Sequence, residues 1–296
     1  MSTLSPGPDA PARRPAVCLT FDVEPDYGRR PTFGILDKAD SFFDWIRAER
    51  VPVTAFVTGR IIERGHRIID RLLAAGIAVE LHGYAHAPEA FGTMHGSHAD
   101  EIQRGTDAYL GRFGRSPTGY RAPSGVVSAA DLRLLDRLGY RYDSSVFPVR
   151  RSGRYDFTSL PRRPFRWGGL GLLEFPVALL TPRLPAGLTF INLFGPSVSA
   201  RLIRRTAGPE PGPLVLDGHF HNLYADDEAL AGLPWALRAV YTAGRWSGGL
   251  RCTRLLVDRL RRAGFEPSDL REVAALTQTA DIPAVELGVF DSHPAC

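Results

Sequence analysis

The sequence is short of lysine, cysteine and long apolar runs, and each shortage excludes something. Lys38 is the one lysine among 36 basic residues, which face 32 acidic ones for a net charge of +4. Arginine therefore carries nearly all the positive charge, a bias that base composition of the coding sequence explains. No basic run is interleaved with aromatics, so a nucleic-acid surface is set aside. The three cysteines, Cys18, Cys252 and Cys296, have no short spacing. A sparse, odd set is no disulfide framework and suits a reducing cytosol. No stretch reaches the roughly 18 apolar residues of a spanning helix. The opening "MSTLSPGPDAPARRP" has no apolar core of signal-peptide length. The expectation is a soluble, cytoplasmic protein with a disordered leader at 1–15 and one domain over 16–296. Hydrophobic content of 44% and charged content of 23% are ordinary for a globular chain.

What is present is an alternation of strands and helices. "AVCLTF" reads as a strand, and "ILDKADSFFDWIRAER" as a helix with Ile35, Ala39, Phe42, Phe43 and Ile46 on one face. "VPVTAFVTG" is a strand, and "IIERGHRIIDRLLAAG" a helix capped at Gly76. "IAVEL" is a strand that runs into "HGYAH". "SHADEIQRGTDAYLGRFG" is a helix, starting with a weak capping box at Ser97 and Asp100. "TGYRAP", "SAADLRLLDRLG" and "YRYDSSV" follow as strand, helix and strand. Beyond about residue 150 the pattern weakens, with strand candidates in "LGLLEFPVALL" and "GPLVLDGHFHNLY". "GGLRCTRLLVDRLRRAG" is a helix with Leu250, Leu255, Val257 and Leu260 as its apolar side. Such alternation predicts a parallel sheet or barrel, whose chemistry gathers at the C-terminal ends of strands. Asp22, His82, Arg121 and Asp143 fall at such ends.

In extended chain, alternate residues share a side, which puts Asp22 and Glu24 together in "TFDVEPDYG". Acidic groups at a strand end are costly unless something positive meets them. A divalent metal held with His82 and His86 satisfies that, and two imidazoles with one carboxylate leave a position open for water. The metal lowers that water's pKa, and a second carboxylate takes the proton.

With these residues in view, the sequence resembles the polysaccharide deacetylases of carbohydrate esterase family four, the nodulation-type deacetylases. Their Thr-Phe-Asp-Asp motif stands here as "TFDVE", His-Ser/Thr-x-x-His as "HGYAH", Arg-x-Pro as "RAP" at 121–123, and Leu-x-x-His as "LDGH" at 216–219. The order is kept over roughly residues 16–275. The resemblance implies an α/β fold, a distorted (β/α) barrel of seven to eight units in a single catalytic domain. It implies Asp22 as general base, Arg121 as its orienting partner, His82 and His86 as metal ligands, and a late histidine as general acid. The family's second aspartate is Val23 here, and valine binds no metal. Intracellular relatives read Asp-Val-Asp or Asp-Val-Glu, which moves the third ligand to Glu24. His219 fits the late motif, with His221 as the alternative. Zinc is the default metal from this ligand set, with cobalt, nickel and iron as alternatives.

Other residues have two readings. Tyr84, Pro123, Trp167 and His221, with "TPRLPAGLTFINLFGP" on the far side, line the substrate pocket or simply pack. Asp143, in a "YDSS" that resembles a family loop, binds substrate or satisfies backbone amides. His95 and His98 read as solvated, and His66 and His293 as surface residues. The expected reaction is N-deacylation of a small intracellular N-acylated amino sugar or glycoside. The alternatives are a deformylase or deacetylase of a lipid-linked amino sugar at the cytoplasmic membrane face, a metal-free allantoinase-like amide hydrolase, and a sugar-binding module without catalysis. "LPWALRAVYTAGRWSGGLRCTRLL" has the composition of an interfacial segment, but a core-facing helix with exposed arginines is the preferred reading.

Overall fold

A computed structural model describes residues 14–27, 32–86, 98–209, 211–224, 226–242 and 248–291. The proposed leader, Ser97, His95, His293 and Cys296 lie outside the described residues, apart from the leader's last two positions.

Strand β1 spans Ala16–Val23 and is buried along nearly its whole length. Strands β2 (Val53–Val57), β3 (Ala78–Leu81), β4 (Gly119–Tyr120) and β5 (Tyr142–Asp143) follow it, and each pairs in parallel with the one before. Near-continuous apolar runs such as "VTAFV" are what a strand covered on both faces requires. Leu173–Glu174 pairs in parallel with β5, and Phe165–Trp167 lies antiparallel beyond it. On the other side of β1 lies the parallel strand Leu214–Leu216. The sheet curls until Val177 bridges Val215, so the chain just after Leu173–Glu174 meets the strand beside β1. The result is a mixed α/β fold with a curled sheet, a distorted barrel of the expected kind.

The expected elements are present, with shorter bounds. The helix read over 35–50 is two, Gly34–Asp37 and Asp40–Glu49. The helix read over 61–76 is also two, Gly59–Glu63 and Ile68–Ala74, broken near Gly65, whose φ is 60°. That left-handed backbone costs glycine nothing and other residues something. Ser128 and Asp131 form a reciprocal capping box that starts Ala129–Arg137. Apolar faces of these helices meet the sheet in one core, where Phe42 stands edge-on to Phe21 at 5.1 Å and to Phe220 at 5.2 Å. Such pairs add about 0.5–1.5 kcal/mol each beyond their burial.

Two expectations about the late helices need correction. In Gly249–Arg262 the buried residues are Cys252, Thr253, Leu256, Val257 and Leu260, while Leu255 points outward. Trp235–Thr242 is a helix with no buried residue, so this part of the segment does not face the core. No helix among the described residues is long and apolar enough to cross a membrane.

Candidate active site

The C-terminal ends of β1, β3, β4 and Leu214–Leu216 come to one rim of the curled sheet. Asp22 and Glu24 are both buried there, and Val23 between them packs in the hydrophobic core. The alternation of side chains thus explains why a carboxylate works at 24 and an apolar residue at 23.

"HGYAH" is a turn held from three sides. Gly83 (φ 61°) and His86 (φ 56°) are left-handed. A Cβ on Gly83 would meet Pro123 Cγ at 2.9 Å, so only glycine allows this approach. The Tyr84 and Ala85 amides donate to Glu101 Oε2 at 3.1 and 2.8 Å. The Gly83 and Tyr84 carbonyls accept from the Gly59 and Arg60 amides, both at 2.9 Å. This clamp brings the two imidazole rings to a centroid distance of 5.3 Å.

One ligand atom each from Glu24, His82 and His86 lie within 4.8 Å of one another. His86 Nε2 is 2.9 Å from Glu24 Oε2. His82 Nδ1 is 2.8 Å from the Arg121 carbonyl oxygen. A carbonyl only accepts, so Nδ1 carries the proton and Nε2 presents its lone pair to the cluster, an arrangement usual for metal-binding histidine. Burial lowers the His82 pKa, so the ring is neutral as a ligand must be. Burial works against the Glu24 charge, but His86 and His219 outweigh it and hold the carboxyl well below its ordinary range. Burial works against the charge of His86 too, but Glu24 outweighs it and raises the pKa of that ring. Two imidazoles and one carboxylate that converge on one point are a donor set that fits a divalent cation.

Arg121 is wholly buried. Its Nη1 donates to Asp22 Oδ1 at 3.0 Å, to Asp217 Oδ1 at 3.2 Å and to Thr20 Oγ1 at 2.8 Å. Its Nε and Nη2 donate to the Ser144 carbonyl and hydroxyl, both at 3.0 Å. The guanidinium lies over the Phe56 ring at 4.3 Å. A charge this deep is tolerable only with such complete partnering. Asp22 in turn lies 3.6 Å from His82 Nε2 and 3.8 Å from His219 Nε2. Burial raises its pKa, but His82, Arg121 and His219 together bring it below the ordinary value.

The two late histidines diverge. His219 Nε2 lies 3.2 Å from Glu24 Oε1, and its pKa is raised because the Glu24, Asp217 and Asp22 charges outweigh burial. The short helix Phe220–Leu223 then turns His221 away. Its Nε2 is 3.7 Å from Asp26 Oδ1, and its ring stacks on Tyr27 at 4.4 Å.

The other sequence candidates are not brought to the cluster. Tyr84 donates to Glu63 Oε2 at 2.6 Å and carries Arg104 over its ring at 4.0 Å, so it ties two helices together. Pro123 packs on Gly83 and shapes the turn. Asp143 is fully buried and accepts from Ser145 Oγ at 2.6 Å. Trp167 is fully buried, donates from Nε1 to Glu174 Oε2 at 3.3 Å and packs edge-on to Phe165. Neither Asp143 nor Trp167 presents the open surface that lining a substrate pocket requires. His98 is buried rather than solvated, with Nδ1 2.6 Å from Asp131 Oδ2.

Two neighbours of the cluster escaped the sequence reading. Tyr27 donates its hydroxyl to Glu24 Oε1. Asp217 shares Arg121 with Asp22, and burial pushes its pKa up to about 6. Asp217 was visible inside "LDGH" as a residue but not as a partner.

The sequence profile of the family described as polysaccharide deacetylase matches residues 9–142, which include Asp22, Glu24, His82, His86 and Arg121. No curated protein matches the chain. Among solved structures, one from Pseudomonas aeruginosa PAO1 described as a polysaccharide deacetylase is 14% identical, covers 94% of this chain and 95% of its own, and has a TM-score of 0.59. One from Mycobacterium smegmatis with the same description is 18% identical, covers 95% and 97%, and scores 0.57. The Puue allantoinase is 15% identical, covers 94% and 95%, and scores 0.56. At such identities these likenesses speak to the fold.

Proposed function

We propose that this chain, whose residues 9–142 match the polysaccharide deacetylase family, is a metal-dependent hydrolase of that superfamily. It removes an N-acyl group, with N-acetyl the leading candidate, from an amino sugar or glycoside. The convergence of Glu24, His82 and His86 beside an Arg121-held Asp22 carries this reading.

A divalent ion held by Glu24, His82 and His86, with zinc as first choice, supplies polarisation of the amide carbonyl and acidification of water. Asp22 accepts the proton from the water that attacks the carbonyl carbon. Arg121 keeps Asp22 ionised and aimed, because its Nη1 occupies Oδ1 and leaves Oδ2 toward the histidines. His219, with its raised pKa, holds the proton that the amine nitrogen needs as the carbon–nitrogen bond breaks. The products are the carboxylate and the free amine. Asp217 balances Arg121 and raises the proton affinity of His219.

The substrate class we favour is a small acylated sugar in the cytoplasm rather than a polymer. The buried free thiol of Cys18 supports a reducing location. Assay of N-acetylated mono- and disaccharides against insoluble polymer tests this, and turnover of polymer alone would sink it. Metal analysis tests the centre itself. About one equivalent per wild-type chain and none in a His82→Ala, His86→Ala variant is expected. No metal after reconstitution would move the reading to a metal-free amide hydrolase.

A further inference from the structure

Trp235–Thr242 carries Trp235, Leu237, Val240 and Tyr241, yet none of its residues is buried. Trp235 is 83% exposed and Leu237 49% exposed. The helix packs against Leu188–Ala207. That element is broken at Gly195, with φ 76° and ψ 163°, and followed by Pro196. Around the break, Leu193, Phe194 and Val198 are between 42% and 49% exposed. Five large apolar side chains thus project from two adjoining elements, a clustering that marks an interaction surface rather than scattered surface residues.

The surroundings of this apolar corner are basic. Ser197, one residue from Val198, begins a groove of about 280 Å³ lined by Arg201, Arg204, Arg259 and Arg262. None of these four arginines pairs with a carboxylate among the described residues. Val198, Arg201 and Arg205 recur at i, i+3 and i+7 and so share one helix face.

The corner also adjoins the site. Trp235–Thr242 packs on Phe220–Leu223, the helix that follows His219. Its Tyr241 ring lies 5.7 Å from Tyr27, which donates to Glu24.

We propose that this face is a docking surface for an anionic lipid bilayer. Trp235, Leu237, Leu193, Phe194 and Val198 enter the interfacial layer, while Arg201, Arg204, Arg259 and Arg262 meet headgroup phosphates. Tryptophan and arginine flanking aliphatic side chains on an unburied helix is the chemistry of an interfacial element. The unpaired guanidiniums choose the anionic surface over a neutral one or an apolar protein partner. Docking would bring the rim of the curled sheet near the membrane surface, and it stands independently of the proposed deacylase reading.

Co-sedimentation with vesicles tests it. The probes are phosphatidylcholine vesicles and phosphatidylcholine vesicles containing phosphatidylglycerol, with wild type, Trp235→Asp/Leu237→Asp and Arg201→Glu/Arg204→Glu. Each arginine near an anionic surface is worth about fivefold in binding. Wild type should bind the anionic vesicles at least about tenfold tighter than the neutral ones, and each double variant should lose about tenfold or more. All the altered side chains are solvent-facing, so folding is expected to survive, and unfolding curves verify it. Chelator-treated protein should bind vesicles as well as untreated protein, which separates this outcome from failure of the metal centre. No binding of wild type to anionic vesicles overturns the proposal, as does binding that neither variant weakens. An oligomer that Trp235→Asp/Leu237→Asp dissociates would also overturn it and assign the face to a second copy of the chain.

Discussion

Asp22 and Glu24 are two residues apart and face the same histidines, but their other partners divide the work between them. Arg121 Nη1 occupies Asp22 Oδ1, while Glu24 points both oxygens at His86 and His219. Asp22→Asn keeps an acceptor for Arg121 and loses the proton acceptor. Turnover should fall by about 10²–10⁴-fold, a usual range for a lost general base, while bound metal stays near one equivalent. Loss of metal together with turnover would make Asp22 a ligand instead. Tyr27 acts one step further out, through its hydroxyl on Glu24. Outer partners of a ligand commonly contribute about 10–100-fold in metal affinity. Tyr27→Phe should therefore weaken zinc by that factor in a competition titration with a chromophoric chelator. Unchanged affinity would reduce Tyr27 to a packing residue under His221.

Between strands, the pairing of β5 with Leu173–Glu174 sets Asp143 opposite Glu174. Both are fully buried. Burial pushes Asp143 up to about 6, and burial with the Asp143 charge pushes Glu174 well above its ordinary range. The folded state thus holds protons that an unfolded aspartate, with a pKa of about 3.9, releases earlier. Their contribution to stability is full below about pH 4 and is lost as pH rises through about 6. Asp143→Asn keeps an acceptor for Ser145 and removes the ionisation. Its unfolding free energy relative to wild type should rise by on the order of 1–3 kcal/mol between about pH 4 and 7, measured by denaturant titration. A difference that stays flat with pH would deny the pair its coupled proton. The same register explains what the sequence hid. Strands β1 to β3 and the helices between them were legible because apolar spacing reports a covered face. So were Asp22, His82, His86 and Arg121, each beside a turn signal at a strand end. The two- and three-residue strands after residue 150 carry too few residues for a period. Asp217 becomes a partner of Arg121 only through the pairing of Leu214–Leu216 with β1. His98 gains its partner 33 residues along the chain, in Asp131. Trp167 looked like a pocket residue because aromatic residues serve both purposes, and only the fold decides between them.

At the scale of the whole molecule, the Glu24–His82–His86 cluster would act as a cross-link once it held a cation. Glu24 follows β1, His82 and His86 follow β3, and Arg121 after β4 holds both Asp22 and the His82 ring. Without a cation, the buried Asp22 and Glu24 oppose one another across the rim, and each raises the cost of the other's charge. With one, two chain segments distant in sequence, those that follow β1 and β3, would share a single charge centre that the unfolded chain cannot assemble. Binding that selects the folded state stabilises it by about 4 kcal/mol at a thousandfold excess over the dissociation constant. A midpoint moves roughly 2–4 °C per kcal/mol in domains near this size. Zinc added to chelator-treated protein should therefore raise the melting midpoint by about 8–16 °C, and the His82→Ala, His86→Ala variant should not respond. An equal rise in that variant would put the stabilising ion elsewhere on the chain. No rise in either would leave Asp22 and Glu24 balanced by Arg121 and the protonated imidazoles alone, and the catalytic reading would then have to rest on those cations.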